Sequence, residues 1–375
     1  MPVNAMLEVK GDVLATLSQL MRDLLEKGIV DALLVPQVMP SGDNVVQTLV
    51  RDPTKLEGVD LIAPVLPVNS AKLVADLTVT DFEGKLAAVL RSCEIRALIE
   101  LVKLQQARLD NVVIVGLDCL GTYEVIDYAE RSTAEGKGAG MFAELKRRVE
   151  EGSPLTDLPL RAACRMCDRP FPERADLAIG FVGLDAEKAI FVSAEDELAE
   201  RLGLPAAEVP AGRKEVMDRI VTERAAERDR AFAEFRETVV DMPTLLAQFS
   251  TCIRCYNCMV ACPICYCKEC IFCTATFDHP PARYRRWAER KGSIRMPTDT
   301  LLFHLTRLNH MATSCVGCGM CESACPSHLP VATIFRAVGQ KVQALFDYIP
   351  GRSLEEEIPL ATFREDELGD LGERR

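Results

Sequence analysis

A chain of 375 residues, 48% hydrophobic and 27% charged, has the composition of an ordinary folded protein and the length for two or three domains, each with its own core. Its formal charge of -12 argues against nucleic acid, which needs concentrated Lys and Arg against phosphate. No positively charged start leads into an apolar run and no segment reaches the ~18 apolar residues of a membrane span, so a cytoplasmic protein without a membrane span is expected.

In chain order, residues 5–27 read as an amphipathic helix ended by Gly28, and Val30–Val38 as a short apolar strand. Lys85–Leu90, Glu94–Arg108 and Asn111–Gly116 then form a strand, a helix and a strand, the unit that builds parallel sheets. Gly136–Gly140 reads as a flexible loop and residues 141–151 as a helix. Gly152-Ser-Pro and Pro170-Phe-Pro172 punctuate a loop-rich stretch carrying Cys164 and Cys167. Leu177–Val182 and Ala189–Val192 are apolar runs that complete the sheet. Ala211–Phe235 is a long charge-rich helix leading into the cysteine-rich region. The expected organisation is an α/β domain with a mostly parallel sheet (1–208), a helical connector (209–245), an α-rich, bacterial-ferredoxin-like two-cluster domain with a Cys-rich insertion (246–348), and an acidic tail (349–375) that stays mobile or lies along a partner. The basic run Arg283–Lys291 reads first as a solvated face, with a docking face for an acidic partner as the alternative.

Sixteen Cys in a reducing compartment are better metal ligands than disulfides. Cys252-Ile-Arg-Cys-Tyr-Asn-Cys-Met-Val-Ala-Cys-Pro263 recurs 63 positions later as Cys315-Val-Gly-Cys-Gly-Met-Cys-Glu-Ser-Ala-Cys-Pro326. The pattern C-x2-C-x2-C-x3-C-P is the bacterial ferredoxin run, in which three close thiolates hold one 4Fe-4S cluster and the fourth crosses to the other. Cys252, Cys255, Cys258 and Cys325 are then one ligand set, and Cys315, Cys318, Cys321 and Cys262 the second. Zinc also takes four thiolates, but three cysteines in register followed by Cys-Pro, twice, fit it poorly. Between the motifs, Cys265, Cys267, Cys270 and Cys273 crowd into nine residues; they read either as ligands of zinc or a further cluster, or as buried small apolar residues.

Four cysteines remain. Cys93 falls between a strand and a helix N-terminus, where N–H groups and the helix dipole favour a thiolate, and Cys119 occupies the matching place after the next strand. Both emerge at the C-terminal edge of a parallel sheet, where a Cys164–Cys167 loop can close over them to complete a third four-thiolate set. The alternative is two structural cysteines beside an unrelated redox or zinc pair.

These residues resemble the beta subunits of coenzyme F-420-reducing hydrogenase and dehydrogenase, and most nearly the formate dehydrogenase beta subunit. The resemblance lies in Arg91-Ser-Cys-Glu-Ile-Arg-Ala-Leu98, Val115-Gly-Leu-Asp-Cys-Leu-Gly-Thr122, Cys164-Arg-Met-Cys-Asp168 and Ala175-Asp-Leu-Ala-Ile-Gly180, with residues 252–326 as the accompanying ferredoxin module. It implies FAD beside a 4Fe-4S cluster held by Cys93, Cys119, Cys164 and Cys167, with Asp176 and Gly180 near the flavin. It also implies a hetero-oligomer in which the catalytic centre lies on a partner such as formate dehydrogenase or a heterodisulfide-reductase-like complex. Pro40-Ser-Gly-Asp-Asn-Val-Val-Gln-Thr48 is a poor match to the segment that deazaflavin users carry, which speaks against coenzyme F-420. No G-x-G-x-x-G run supports a nicotinamide site. His279, His304, His310 and His328 are scattered and read as structural; Arg91, Arg96 and Arg254, beside cysteines, read either as tuning or phosphate-binding groups or as ordinary salt-bridge partners. The expected function is a flavin and iron-sulfur electron-carrying subunit. The alternatives are a flavin-free ferredoxin-like relay and a zinc scaffold.

Overall fold

The computed structural model describes residues 2–10, 12–80, 82–135, 138–153, 155–157, 159–278, 280–292, 299–359 and 361. One mixed sheet runs in the order β1-β7-β6-β5-β4-β2-β3, from β1 (Val3–Glu8), β2 (Ala32–Val38), β3 (Val45–Val50), β4 (Leu86–Arg91), β5 (Val112–Leu117), β6 (Leu177–Gly180) and β7 (Ala189–Ala194). Its centre, β2-β4-β5-β6, is parallel, as the alternation of strand and helix in the sequence requires; β3 on one side and β7 and β1 on the other pair antiparallel. β4 is buried along Leu86–Leu90 and β5 along Val113–Leu117, the continuous apolar pattern of strands covered on both faces.

The helix expected over 5–27 is two elements. Asp12 accepts from the Ala15 amide and caps a helix over Val13–Glu26, which buries Leu17, Leu20, Met21 and Leu24 at helical spacing. Residues 3–8 instead pair with β7 in register, Ala5 opposite Val192. Asp12→Ala would remove the cap at a cost of about 1 kcal/mol. The helix after β4 spans Ser92–Lys103 rather than 94–108, and Gln105 beyond it takes a left-handed φ of 60°. Gly138–Glu151 is helical, so most of the loop expected at 136–140 is helix; Gly136 and Lys137 lie outside the described residues. β3 and the helices Ser70–Val79, Val125–Glu135 and Asp196–Leu202 have no counterpart in the sequence reading.

The chain divides into two compact units. One runs to Asp229 and takes in Val316–Cys318 and Gly351–Glu357; the other comprises Arg230–Cys315, Gly319–Pro350 and the residues from Ile358. The stretch expected as a helical connector over 209–245 contains a helix over Arg213–Thr238, and the division between the units falls inside it. Part of the acidic tail belongs to the first unit: the Gly351 amide donates to Glu100 Oε1 at 2.8 Å and Arg174 to the Arg352 carbonyl at 3.0 Å. The rest of that tail, from 362 on, lies outside the described residues. The second unit is helical, with Met242–Gln248, Pro281–Lys291, Thr300–Met311 and Val331–Leu345 as its longer helices.

Candidate metal centres

In the first unit the parallel register carries Arg91, Cys93, Asp118, Cys119 and Gly180 to one edge of the sheet. Cys93 stands in the first turn of the helix Ser92–Lys103. Buried Glu94 fixes that turn by accepting from the Arg91 amide at 2.8 Å and the Ser70 amide at 2.7 Å. The Cys164–Cys167 segment is fastened over this edge: Cys119 N donates to Pro170 O at 3.0 Å and Ser92 Oγ to Arg169 O at 2.6 Å. Thr122 Oγ1 lies 3.3 Å from Cys164 Sγ, and Arg91 Nη1 lies 3.7 Å from Cys119 Sγ. The structure thus brings Cys93, Cys119, Cys164 and Cys167 to one place.

It adds a fifth thiol. Val316–Cys318 packs with this unit, its backbone held by Arg96 Nη2 on Val316 O (2.5 Å) and Arg161 Nη2 on Cys318 O (3.1 Å). Burial, then the charges of Glu94, Cys318, Cys119 and Cys167, push the Cys93 thiol well above its ordinary range. The helix N-terminus expected to favour a thiolate is therefore outweighed by desolvation and like charge. A bound metal ion would reverse that balance, because a coordinating thiol is deprotonated by the cation it binds.

Cationic side chains surround the same edge. Arg213 makes a two-pronged pair with buried Asp118 (2.7 and 2.9 Å), while Asp118 also accepts from the amides of Phe181 and Val182. Arg224 donates to the carbonyls of Cys119 and Leu120. Arg91 donates to Ala63 O as well as facing Cys119, so Arg91 and Arg96 are inward-directed groups, not surface salt-bridge partners.

The sequence repeat is also a repeat of backbone. Arg254 and Tyr256 in the first motif, and Gly317 and Gly319 at the same positions of the second, all have φ between 56° and 75°. Short helices follow in register, Asn257–Val260 and Met320–Ser323, and the turn Cys265 N to Cys262 O is matched by His328 N to Cys325 O. Left-handed residues set among right-handed ones turn successive N–H groups into a concavity that lodges anions, iron-sulfur centres among them. L-residues pay about 1–2 kcal/mol for that conformation, so Arg254 and Tyr256 hold a costly shape. Arg254 is tied to Asp299 at 2.7 Å with both side chains buried, again not a surface pair.

The thiol of Cys258 is raised to about 11 by burial, with Cys252, Cys325 and Cys255 as its thiol neighbours; Arg307 opposes the shift. Cys252, Cys255, Cys258 and Cys325 are thus within electrostatic reach of one another. Arg307 faces Cys258, Cys262, Cys321 and Cys265, so Cys262 shares its surroundings with a second-motif cysteine. Cys265 is raised to about 11 by burial and then by the charge of Cys262, with Cys267 and Cys270 also beside it; Cys273 neighbours Cys270. Among the described residues no three His, Cys, Asp or Glu side chains converge as a single metal ion requires.

Two groups escaped the sequence reading. His304 Nε2 lies 3.3 Å from Cys252 Sγ, and Arg307 Nη1 donates to Cys258 Sγ at 3.1 Å; both side chains are buried. The expectation that His304 is structural does not anticipate its contact with Cys252. The available signal was spacing, since residues three apart share a helix face. His279 lies outside the described residues.

The residues present fit iron-sulfur clusters: anion-lodging turns, gathered thiols and buried cations turned towards them. They fit FAD less well. Asp176 and Gly180 stand at opposite ends of β6. Asp176 extends the ladder, its carboxylate accepting from the Ile114 amide at 2.6 Å, and it lines an open groove of about 800 Å³ with Glu195, Asp196, Glu197 and Glu355 against Arg174, a charge balance that repels a diphosphate. Gly180 leaves room for the Arg213 guanidinium, which a Cβ would strike. At the thiol edge, Arg91, Glu94, Gln47 and apolar neighbours line a cavity of about 80 Å³, smaller than the ~300 Å³ at which ligand pockets begin.

An α/β unit with a thiol-bearing sheet edge and a duplicated cysteine motif are features expected of the class of oxidoreductase subunits that carry electrons. Within that class the chain is 29% identical over 367 residues to the F420-dependent formate dehydrogenase subunit beta of Methanocaldococcus jannaschii, covering 88% of this chain and 90% of that protein. It is also 29% identical over 386 residues to the F420-dependent formate dehydrogenase 1 subunit beta of Methanococcus maripaludis, covering 94% of each. The family resemblance read from the motifs thus holds along nearly the whole chain. No family model matches. Among solved structures, one chain of the F420-reducing [NiFe] hydrogenase complex from Methanosarcina barkeri aligns with a TM-score of 0.47 at 12% identity, covering 64% of this chain and 93% of that one. Among the described residues no helix is long and apolar enough to cross a membrane.

Proposed function

We propose that this chain is the iron-sulfur electron-carrying subunit of a hetero-oligomeric oxidoreductase of the formate dehydrogenase type, working beside a partner that holds the catalytic centre. The observation that carries the reading is the conformational repeat of the two motifs around buried Arg307, a guanidinium facing four thiols. A buried cation facing neutral thiols would be left uncompensated at several kcal/mol; facing thiolates it is paired. Cys252, Cys255, Cys258 and Cys325 are assigned to one 4Fe-4S cluster, Cys315, Cys318, Cys321 and Cys262 to a second, and Cys93, Cys119, Cys164 and Cys167 to a third. When bound, such clusters supply one-electron transfer, and a flavin would supply exchange between one- and two-electron carriers. The chain's own residues hold the thiols in place: Glu94 fixes the turn under Cys93, Asp118 and Arg213 lock the sheet edge, and the left-handed turns shape each motif.

FAD rests on the resemblance. The small cavity beside Arg91 and the acidic groove at Asp176 favour a second reading, a flavin-free relay. The relatives' names make coenzyme F420 the first two-electron carrier to assay, although Pro40–Thr48 forms only the β2–β3 turn and the start of β3. The test is anaerobic purification with native partners followed by iron and flavin analysis. About twelve irons per chain support three clusters. About eight remove the first-unit cluster, about sixteen recruit Cys265, Cys267, Cys270 and Cys273, and zinc without iron sinks the reading. Stoichiometric FAD supports the flavoprotein; its absence leaves the relay.

A further inference from the structure

We propose that His304 and Arg307 set the reduction potential of the first-motif cluster by donating N–H hydrogen bonds to the Cys252 and Cys258 thiolates, and that Arg307 acts on the second motif as a shared buried cation. The inference rests on the cluster assignment above.

Both residues lie on the helix Thr300–Met311, three positions apart, and so present one face. His304 is held rigidly: its ring stacks on Phe249 with centroids 4.1 Å apart and planes 12° from parallel, leaving Nε2 3.3 Å from Cys252 Sγ. Arg307 is held at two further points. Nη2 donates to the Cys258 carbonyl at 3.0 Å, and the guanidinium carbon lies 5.6 Å from the Phe303 ring centroid and 5.1 Å from that of Phe335. Nη1 then reaches Cys258 Sγ at 3.1 Å.

The electrostatic contrast with Arg254 is informative. Arg254 also lies inside the first motif, but its charge is neutralised by buried Asp299. Among the charged groups acting on Arg307 are the thiols of Cys258 and Cys262 of the first motif, Cys321 of the second and Cys265 between them. Reduction adds one negative charge to a cluster. N–H donors on the ligating sulfurs and an unneutralised cation nearby stabilise the reduced form more than the oxidised one, and so raise the potential. Arg307 contributes a direct hydrogen bond to the first set and charge to both; His304 contributes to the first set alone.

The test is a redox titration followed by electron paramagnetic resonance on the full-length, cluster-loaded chain, with iron content measured for every variant. The first-motif signal is the one lost in Cys255→Ser. Arg307→Met is expected to keep wild-type iron while shifting that signal about tenfold towards the oxidised form at fixed potential, equivalent to about -59 mV for one electron, with a smaller shift in the second-motif signal. His304→Phe is expected to move only the first-motif signal, several-fold, and His304→Gln, which restores an N–H, to return it towards wild type. Arg307→Lys is expected to restore the second-motif potential but not fully the first. Unchanged midpoints at full iron in Arg307→Met and His304→Phe overturn the proposal. So does iron loss that also occurs in the Lys and Gln variants, since these residues would then be building the site instead of tuning it. A wild-type chain without iron removes the cluster assignment itself, a different and distinguishable failure.

Discussion

The two thiol-bearing regions reach similar chemistry by opposite routes. At the sheet edge Cys93, Cys119 and Cys164 come from distant parts of the chain, and a large apolar core of strands and helices holds them together. In the duplicated motif the cysteines come in two local runs, all but Cys318 in the second unit, and the cluster of buried apolar residues at the first motif is small, centred on Cys258, Phe272 and Phe303. The first region is folded around its own hydrophobic interior, and a metal bound there would be an addition to it. The second shapes itself with turns that lodge an anion, so bound metal is expected to be part of its folding free energy.

Iron removal tests that difference most severely. Treating the reduced full chain with a strong iron chelator should abolish amide-exchange protection and protease resistance in the second unit, between about residues 250 and 345, while β4, β5 and the helix Ser92–Lys103 stay protected. Equal loss in both units would erase the distinction. A second break is aimed at the crossed ligand sets. Cys262→Ala should remove about four irons and the second-motif signal while leaving the first-motif signal that depends on Cys255. Loss of the first-motif signal alone would overturn the crossing.

The Asp118–Arg213 pair sharpens the comparison from the side of the first unit. Asp118→Ala leaves the Phe181 and Val182 amides without this acceptor and strips the buried Arg213 guanidinium of its charge partner, and should cost about 3–5 kcal/mol. The readout is thermal unfolding of iron-free protein followed at the sheet, where the variant should melt well below wild type. No substitution in the second unit should move that transition.

What the sequence made legible follows from the same contrast. Ligand spacing in residues 252–262 and 315–325 is local, so composition and register were enough to find it. The parallel centre was legible too, because buried strands are continuous apolar runs. β1 was not: Ala5, Met6 and Leu7 continue the apolar pattern of the following helix, and the short run Lys10-Gly-Asp12 is the signal that separates them. β3 is buried only at its two ends, Val45 and Val50, and its partner is visible only in the sheet. The site residues that escaped, His304, Arg307 and the first-unit position of Cys318, depend on tertiary packing. Asp176 and Gly180 were joined by a motif that also spans a strand, and a strand separates its ends by about 3.3 Å per residue.

The smallest effect lies within the repeat itself. Gly319 and Tyr256 occupy the same left-handed position of the two motifs, with φ of 75° and 61°. Gly319→Ala introduces a Cβ into that conformation and should cost about 1–2 kcal/mol. Tyr256→Gly relieves a strain of the same size but loses an edge-on contact with Phe303, centroids 5.0 Å apart, worth about 0.5–1.5 kcal/mol beyond its buried area. The two changes should therefore differ in outcome: Gly319→Ala loses cluster-retention half-life in mild denaturant, while Tyr256→Gly stays close to wild type. If Tyr256→Gly fell as far as Gly319→Ala, the aromatic contact would outweigh the turn. The first motif would then be held by its packing on the helix Thr300–Met311 more than by backbone shape, which would bring it closer to the way the sheet edge holds Cys93 and Cys119.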